Sequence, residues 1–328
     1  MNVHPDMNRL KAWFLLFRPW SFTATLVPFL IGLALAAPRP EGVRWVYWGL
    51  GLLSGILFQA TVNLLNTWGD ERSGVDSVPG AICTTPQVRD GIVSMRALLA
   101  VALACALGAG GLGVALCFSR GGDGGWVLNV PLLLAGFVGF LGSTNYSTGV
   151  KFKYRGLGVP FVAFLMGPLE VFVALALAVS PDMLLPAGGS SSWGGFLGAL
   201  LLCTYPLALH VCVIMHGNDM RDIPSDRLAG IRTVASQLGP RNALVFYFLC
   251  HLVPPLTCLT FAIIHRCVWF LLPLVTLPLI AKTLAVSART YAVAPNNPSW
   301  IGLERASGGI HFLFGTLYAC AIFLAGRG

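Results

Sequence analysis

Six of the chain's 13 acidic residues fall in two short stretches: Asp70, Glu71 and Asp76 in one, Asp219, Asp222 and Asp226 in the other. Carboxylates gathered at one place repel each other unless something positive stands between them. Hard divalent cations with oxygen ligands meet that need, and Mg²⁺ uses a few carboxylates together with substrate phosphates. The spacing supports a shared site. Asn66 and Asp70 are four residues apart and can share a helix face, and Gly74 permits a turn that brings Asp76 back toward them. Asp219 and Asp222 are three apart. Pro224 disfavours helix at Ile223, so Asp226 is expected beyond a kink or in a loop. One such stretch alone would read as solvated loop acids. Two of them, each with an asparagine (Asn66, Asn218), favour a metal-dependent site with Asp70, Asp76, Asp219, Asp222 and Asp226 as ligands.

The elements that must position these residues are membrane helices. The chain is 56% hydrophobic and 10% charged, against about 25% charged residues in a soluble protein. A helix crossing ~30 Å of hydrocarbon needs roughly 20 apolar residues. Nine runs qualify, at about 13–37, 44–65, 95–118, 127–147, 157–179, 194–216, 242–264, 267–287 and 304–325. Helices are expected because a lipid-exposed backbone must satisfy its own hydrogen bonds. The sequence therefore predicts an all-α, polytopic transmembrane bundle of about nine helices. No polar linker divides it, so residues 1–328 read as one integral membrane domain, with loops 66–94 and 217–241 carrying the acids.

Charge gives the orientation. With the N-terminus inside, sixteen of the 21 Lys and Arg lie in cytoplasmic segments, as the positive-inside rule requires. That accounts for the net charge of +8 without nucleic acid as a partner. The N-terminal stretch has no cleavable-signal pattern, which fits a bacterial inner membrane, with a eukaryotic endomembrane as the alternative. The cysteines lie mostly in apolar runs and show no CxxC spacing, so neither a disulfide framework nor a metal site is read from them.

The segment Asn66-Thr-Trp-Gly-Asp70-Glu-Arg-Ser-Gly-Val-Asp76 resembles the first aspartate motif of UbiA-superfamily prenyltransferases. Its N-x3-D-x5-D spacing is similar to the MenA branch, which prenylates 1,4-dihydroxy-2-naphthoate. Asn218-Asp219-Met-Arg221-Asp222-Ile-Pro-Ser-Asp226, with Gly230-Ile-Arg-Thr233 downstream, looks like the second motif. Arg18-Pro19-Trp20-Ser21-Phe22 and Lys153-Tyr154-Arg155-Gly156-Leu157-Gly158 are also similar to MenA-type segments. The likeness runs in order from about 15 to 240, while the last three helices match only as apolar spans.

The resemblance implies Mg²⁺-dependent transfer of a prenyl group from a prenyl diphosphate to an aromatic acceptor, within the quinone pathway that leads to menaquinone. Asn66 and the motif aspartates would be catalytic, and Lys153, Tyr154, Arg155, Asn218 and Arg221 would bind substrate. A UbiA-type enzyme acting on another acceptor, a phenol or a lipid, is one alternative. A polytopic transporter with cation-binding loops is another, but its polar groups would be expected near the midplane. Glu170 is the main such group here. It lies deep in an apolar run, where acids are candidates for function by default, with a protonated, helix-packing carboxyl as the competing reading. His210 and His216 read chiefly as packing residues, with His216 close enough to the second motif to reach an acceptor.

Overall fold

The structure is a computed structural model that describes residues 8–38, 42–73, 86–120, 125–147, 149–181, 184, 193–293 and 302–327. Eight helical stretches among these are long and apolar enough to cross a membrane. A ninth apolar helix, Val130–Tyr146, is shorter. Their positions follow the nine apolar runs of the sequence.

The first stretch is broken. α1 (Arg9–Phe17) ends at Arg18, which adopts a left-handed backbone (φ 51). A short 3-10 turn (Pro19–Phe22) then leads into α2 (Thr23–Ala36). Proline at the first position of that turn suits a start that needs no N–H donor. α3 (Trp45–Ser73) follows, then the one-turn α4 (Pro86–Arg89), α5 (Met95–Cys117) and α6 (Val130–Ser147). A two-stranded antiparallel ribbon of Phe118–Arg120 and Trp126–Leu128 joins α5 to α6. The fifth span is α7 (Gly158–Phe164), a π-type turn (Leu165–Leu169) and α8 (Glu170–Ala178). α9 (Trp193–Leu228), α10 (Val234–Ile264), α11 (Leu277–Val293, preceded by a 3-10 stretch) and α12 (Leu303–Ala325) complete the bundle.

Lipid tails are as apolar as leucine, so helices in a bilayer associate through close packing of small residues. α2 shows this on two sides. A Cβ on Gly32 would stand 2.5 Å from Ala174 Cβ and 2.8 Å from the Leu175 backbone nitrogen of α8. On α12, Gly315 leaves equally little room against Val27. The largest buried cluster gathers around these contacts, with Val27, Phe29, Val171, Leu175, Phe314 and Tyr318.

The expected motif loops are largely helix. α3 continues to Ser73, so Asn66 and Asp70 sit on its last turns. Gly74 and Asp76, with the turn predicted for them, lie outside the described residues. α9 runs unbroken through Pro224 to Leu228, which corrects the expectation that Asp226 lies beyond a kink or in a loop. Asp219, Asp222 and Asp226 are therefore spaced three and four apart along one helix face. Proline's missing N–H removes one helical hydrogen bond. Burial of Met220 and Ile223 at 3% exposure each holds the turn against that loss, and Ser225 Oγ donates to the Asp222 carbonyl at 3.0 Å.

Candidate functional site

Asp70 accepts three hydrogen bonds from one short segment. Lys153 Nζ reaches its two oxygens at 3.2 and 3.4 Å, and the Tyr154 hydroxyl donates at 2.6 Å. Both donors come from a 3-10 turn (Phe152–Arg155) framed by left-handed residues, Lys151 (φ 58) before it and Gly156 (φ 78) after it. The turn folds back toward α3 between these two reversals. Arg155 is exposed, and no hydrogen bond or ion pair joins it to the acids among the described residues.

The second group of acids is held by near neighbours in sequence, within α9 and from the cap of α10. Arg221 grips Asp222 with two bonds of 2.7 Å and donates to Asn218 Oδ1 at 3.2 Å. Asp226 accepts from Thr233 Oγ1 at 3.0 Å. Asp219 and Asp226 are 7% and 5% exposed, so both carboxylates are buried. Lys153 links the two groups, because Asp70, Asp219 and Asp226 all lie within its electrostatic reach. Burial alone would lower the Lys153 pKa. The nearby Asp70, Tyr154, Tyr146 and Asp219 outweigh it and hold the ammonium above the usual lysine range.

Below these acids opens a cavity of about 570 Å³. Asn66 and Asn218, one from each motif, line its mouth together with Arg18 and Glu304. Deeper walls carry Phe29, Phe58, Val173 and Leu177, with Glu170 among them. The side formed by α5 and α6 is thin: Val114 and Phe137 line the cavity yet are 53% and 58% exposed. On the α2 side, Thr25 and Phe29 are each 1% exposed.

Several residues fall outside the sequence reading. Glu304 begins α12, accepts from Trp20 Nε1 at 3.4 Å and faces the second motif across Gly217. Its signal was weak because the last helices read only as apolar spans. Asn63 and Gln59 lie inside the second apolar run, where the successive spacings of three and four residues from Asn66 to Asn63 to Gln59 could have marked a polar helix face. His216 follows the packing reading, not the acceptor one. It is fully buried and its Nε2 pairs with the Ala243 carbonyl at 2.9 Å, so it packs on α10 and does not line the cavity. His210 is likewise buried, against His251, His311 and Phe314.

Mg²⁺ was the ion expected from the donor types. Among the described residues no three His, Cys, Asp or Glu side chains already form a cage for a metal. The donor set nevertheless fits that ion. Carboxylates from two helices, Asp70 and Asp222 partly exposed and Asp219 and Asp226 buried, are compensated here by Lys153 and Arg221, and Mg²⁺ ordinarily takes only one or two carboxylates plus substrate phosphates.

Residues 25–301 match the UbiA prenyltransferase family. A mouse protein named UbiA prenyltransferase domain-containing protein 1 is 31% identical, over 100% of this chain and 91% of its own length. Its fruit fly (Drosophila melanogaster) homologue is 30% identical over 98% and 83%. These relatives are animal proteins and carry neither the naphthoate-branch name nor a bacterial origin. Among solved structures, a UbiA homologue from Archaeoglobus fulgidus, described as bound to GPP and Mg²⁺, superposes with a TM-score of 0.60. It shares 16% identity and covers 95% of this chain and 99% of that one. A likeness at that identity shows the shared helical fold. With the family match spanning most of the chain and relatives matching end to end, this protein belongs to the UbiA prenyltransferase family, a membrane-embedded prenyltransferase and not a transporter.

Proposed function

We propose that this enzyme transfers a prenyl group from a prenyl diphosphate to an aromatic acceptor, with 1,4-dihydroxy-2-naphthoate as the acceptor that best fits the motif spacing. The observation that carries this is that Asn66 and Asn218, from the two acid-bearing helices, line one cavity whose remaining walls are largely apolar. A diphosphate belongs at its mouth and a prenyl tail against its walls.

Asp70, Asp219, Asp222 and Asp226 would hold Mg²⁺, with Asp76 expected to join them. The chemistry such an ion supplies is neutralisation of the diphosphate leaving group. The archaeal structure described with GPP and Mg²⁺ supports this assignment. Lys153 and Tyr154 offer a fixed ammonium and hydroxyl, and Arg221 a guanidinium, aimed at the same region. Preorganised donors of this kind stabilise charge as it develops on the departing oxygen. Asn66 and Asn218 stand where the motifs meet the cavity and would orient the donor's first carbon. The apolar walls below exclude water, which would otherwise capture the allylic cation. An electron-rich dihydroxynaphthoate ring attacks such a cation with little help from a base. That suits a site in which His216 is turned away. The clustered bases favour the cytoplasmic side for the motif end.

The test is incubation of the purified enzyme with prenyl diphosphates and equal concentrations of 1,4-dihydroxy-2-naphthoate and 4-hydroxybenzoate, with product mass as the readout. The naphthoate product should dominate. A dominant benzoate product would reassign the acceptor, and no product from any pair would remove the transfer reading.

A further inference from the structure

The cavity has two polar poles, and the prenyl donor accounts for only the upper one. Asn66, Asn63, Gln59 and Gly55 are spaced three, four and four residues apart on α3, so they share one face, and all four line the cavity. Gly55 marks the level of Glu170: a Cβ placed there would stand 3.7 Å from Glu170 Oε1 and 2.9 Å from Thr25 Cγ2. Eleven residues of helix separate Asn66 from Gly55, about 16 Å. The face between them is fixed by hydrogen bonds. Asn63 Nδ2 donates to the Phe17 carbonyl and to Ser21 Oγ at 2.8 Å each, and Gln59 Nε2 donates to Asn63 Oδ1 at 3.4 Å. The facing wall from α5 and α6 presents Gly110, Val114, Leu133 and Phe137. In cross-section, one wall is polar and the other apolar.

Glu170 reaches this polar wall through a helical irregularity. The π-type turn before it contains Pro168 and a non-helical Gly167 (φ −102, ψ −106). Gly167 sits hard against α9, where an added Cβ would be 2.7 Å from Ala208 Cβ. A wide turn re-aims the helix that follows, and such turns concentrate at functional sites. The result is a carboxyl that lines the cavity, with Thr25 lining it at the same level beside Gly55. An acid inside a membrane span is costly to keep and is retained where it faces a cavity with a task.

We propose that Glu170, beside Thr25, determines acceptor specificity by binding the remote oxygen of a para-dioxygenated aromatic acceptor. This rests on the prenyl-transfer reading above. Gln59 and Gly55 are one helical turn apart, about 6 Å, the scale of two para oxygens across one ring. Gln59 meets the oxygen nearer the donor, and Glu170 meets the far one. The prenyl tail lies along the apolar α5–α6 wall. A carboxyl can accept from a hydroxyl in either protonation state.

Wild type, Glu170→Gln and Glu170→Leu are compared on 1,4-dihydroxy-2-naphthoate and its monohydroxy analogue, 1-hydroxy-2-naphthoate, with geranyl diphosphate as donor. Acceptor binding is followed in parallel, without donor, by quenching of tryptophan fluorescence. Glu170→Leu should lose about tenfold of the preference for the dihydroxy ring, through acceptor KM, with donor KM unchanged. Glu170→Gln, which keeps a hydrogen-bonding group of the same shape, should retain most of it. An unchanged preference in Glu170→Leu overturns the proposal, and so does a change that falls on donor KM. If Glu170→Leu does not fold, Thr25→Val decides: a reduced preference supports the assignment and an unaltered one removes it. The binding arm separates the two readings. Absent turnover with a Glu170-dependent binding preference would sink the transfer reading alone, and normal turnover without that preference would sink this one alone.

Discussion

The ends of α3 and α9 face the same cavity mouth but hold their carboxylates in different ways. Asp70 on α3 is gripped from far along the chain, by Lys153 and Tyr154, 83 and 84 residues away. Asp222 on α9 is gripped by its immediate neighbour Arg221. A rotamer change in one side chain can release Asp222, whereas releasing Asp70 requires the 3-10 turn at Phe152–Arg155 to shift. The first motif thus depends on tertiary structure and the second is locally self-contained. Lys153 also faces Asp219 and Asp226, which makes it the point where the two halves join.

The largest effect tests what the two helices share. Asp70→Asn and Asp222→Asn each remove a negative oxygen while keeping the side-chain shape. Each should lower kcat/KM by about a hundredfold or more, with the fold retained in detergent and a raised Mg²⁺ requirement. Near-normal turnover at limiting Mg²⁺ in either variant would remove that residue from the metal-binding set.

An intermediate effect separates the two helices. Lys153→Met deprives three carboxylates of their common cation, while Arg221→Met deprives chiefly Asp222. The lysine variant should lose more activity and also lose thermal stability. A double-mutant cycle should show Lys153 coupled to Asp70 by ~1 kcal/mol or more. Equal losses from both variants, or additive behaviour of Lys153 and Asp70, would erase the distinction drawn here.

The smallest effect concerns helix continuity. Pro224→Ala restores the N–H that α9 lacks and should leave activity within about twofold, since the helix already runs straight through. Stability should rise by ~1 kcal/mol, well below the ~3 kcal/mol of a proline that its helix has not accommodated. A large activity loss in a well-folded variant would mean that the proline shapes the acid-bearing face.

Much of this was legible because lipid imposes a simple code. Runs of about twenty apolar residues can only be spans, and their positions in the sequence match the helices observed. The acids were equally visible as the charged minority of an apolar chain. Asp226 was misplaced because a local rule, the effect of Pro224 on Ile223, was outweighed by packing of Met220 and Ile223 and by the Ser225 bond to the backbone. The polar face of α3 was hidden for the opposite reason. Asn63 and Gln59 are two amides in a run whose average is apolar; their spacing marks a face, and the bonds of Asn63 to Phe17 and Ser21 show what it holds. The grip of Lys153 on Asp70 could not be read at all, since it depends on two left-handed residues, Lys151 and Gly156, turning the chain back on itself.

The exposed flank of the cavity between α5 and α6 changes how this enzyme meets its substrates. Val114 and Phe137 belong at once to the cavity wall and to the surface that touches acyl chains. A hydrophobic substrate that partitions into the bilayer reaches the site by lateral diffusion in two dimensions. Its effective concentration is then a mole fraction of lipid, not a molarity in water. Adding inert lipid or detergent at constant substrate should slow the reaction by surface dilution alone, so apparent KM values carry meaning only with the lipid content stated.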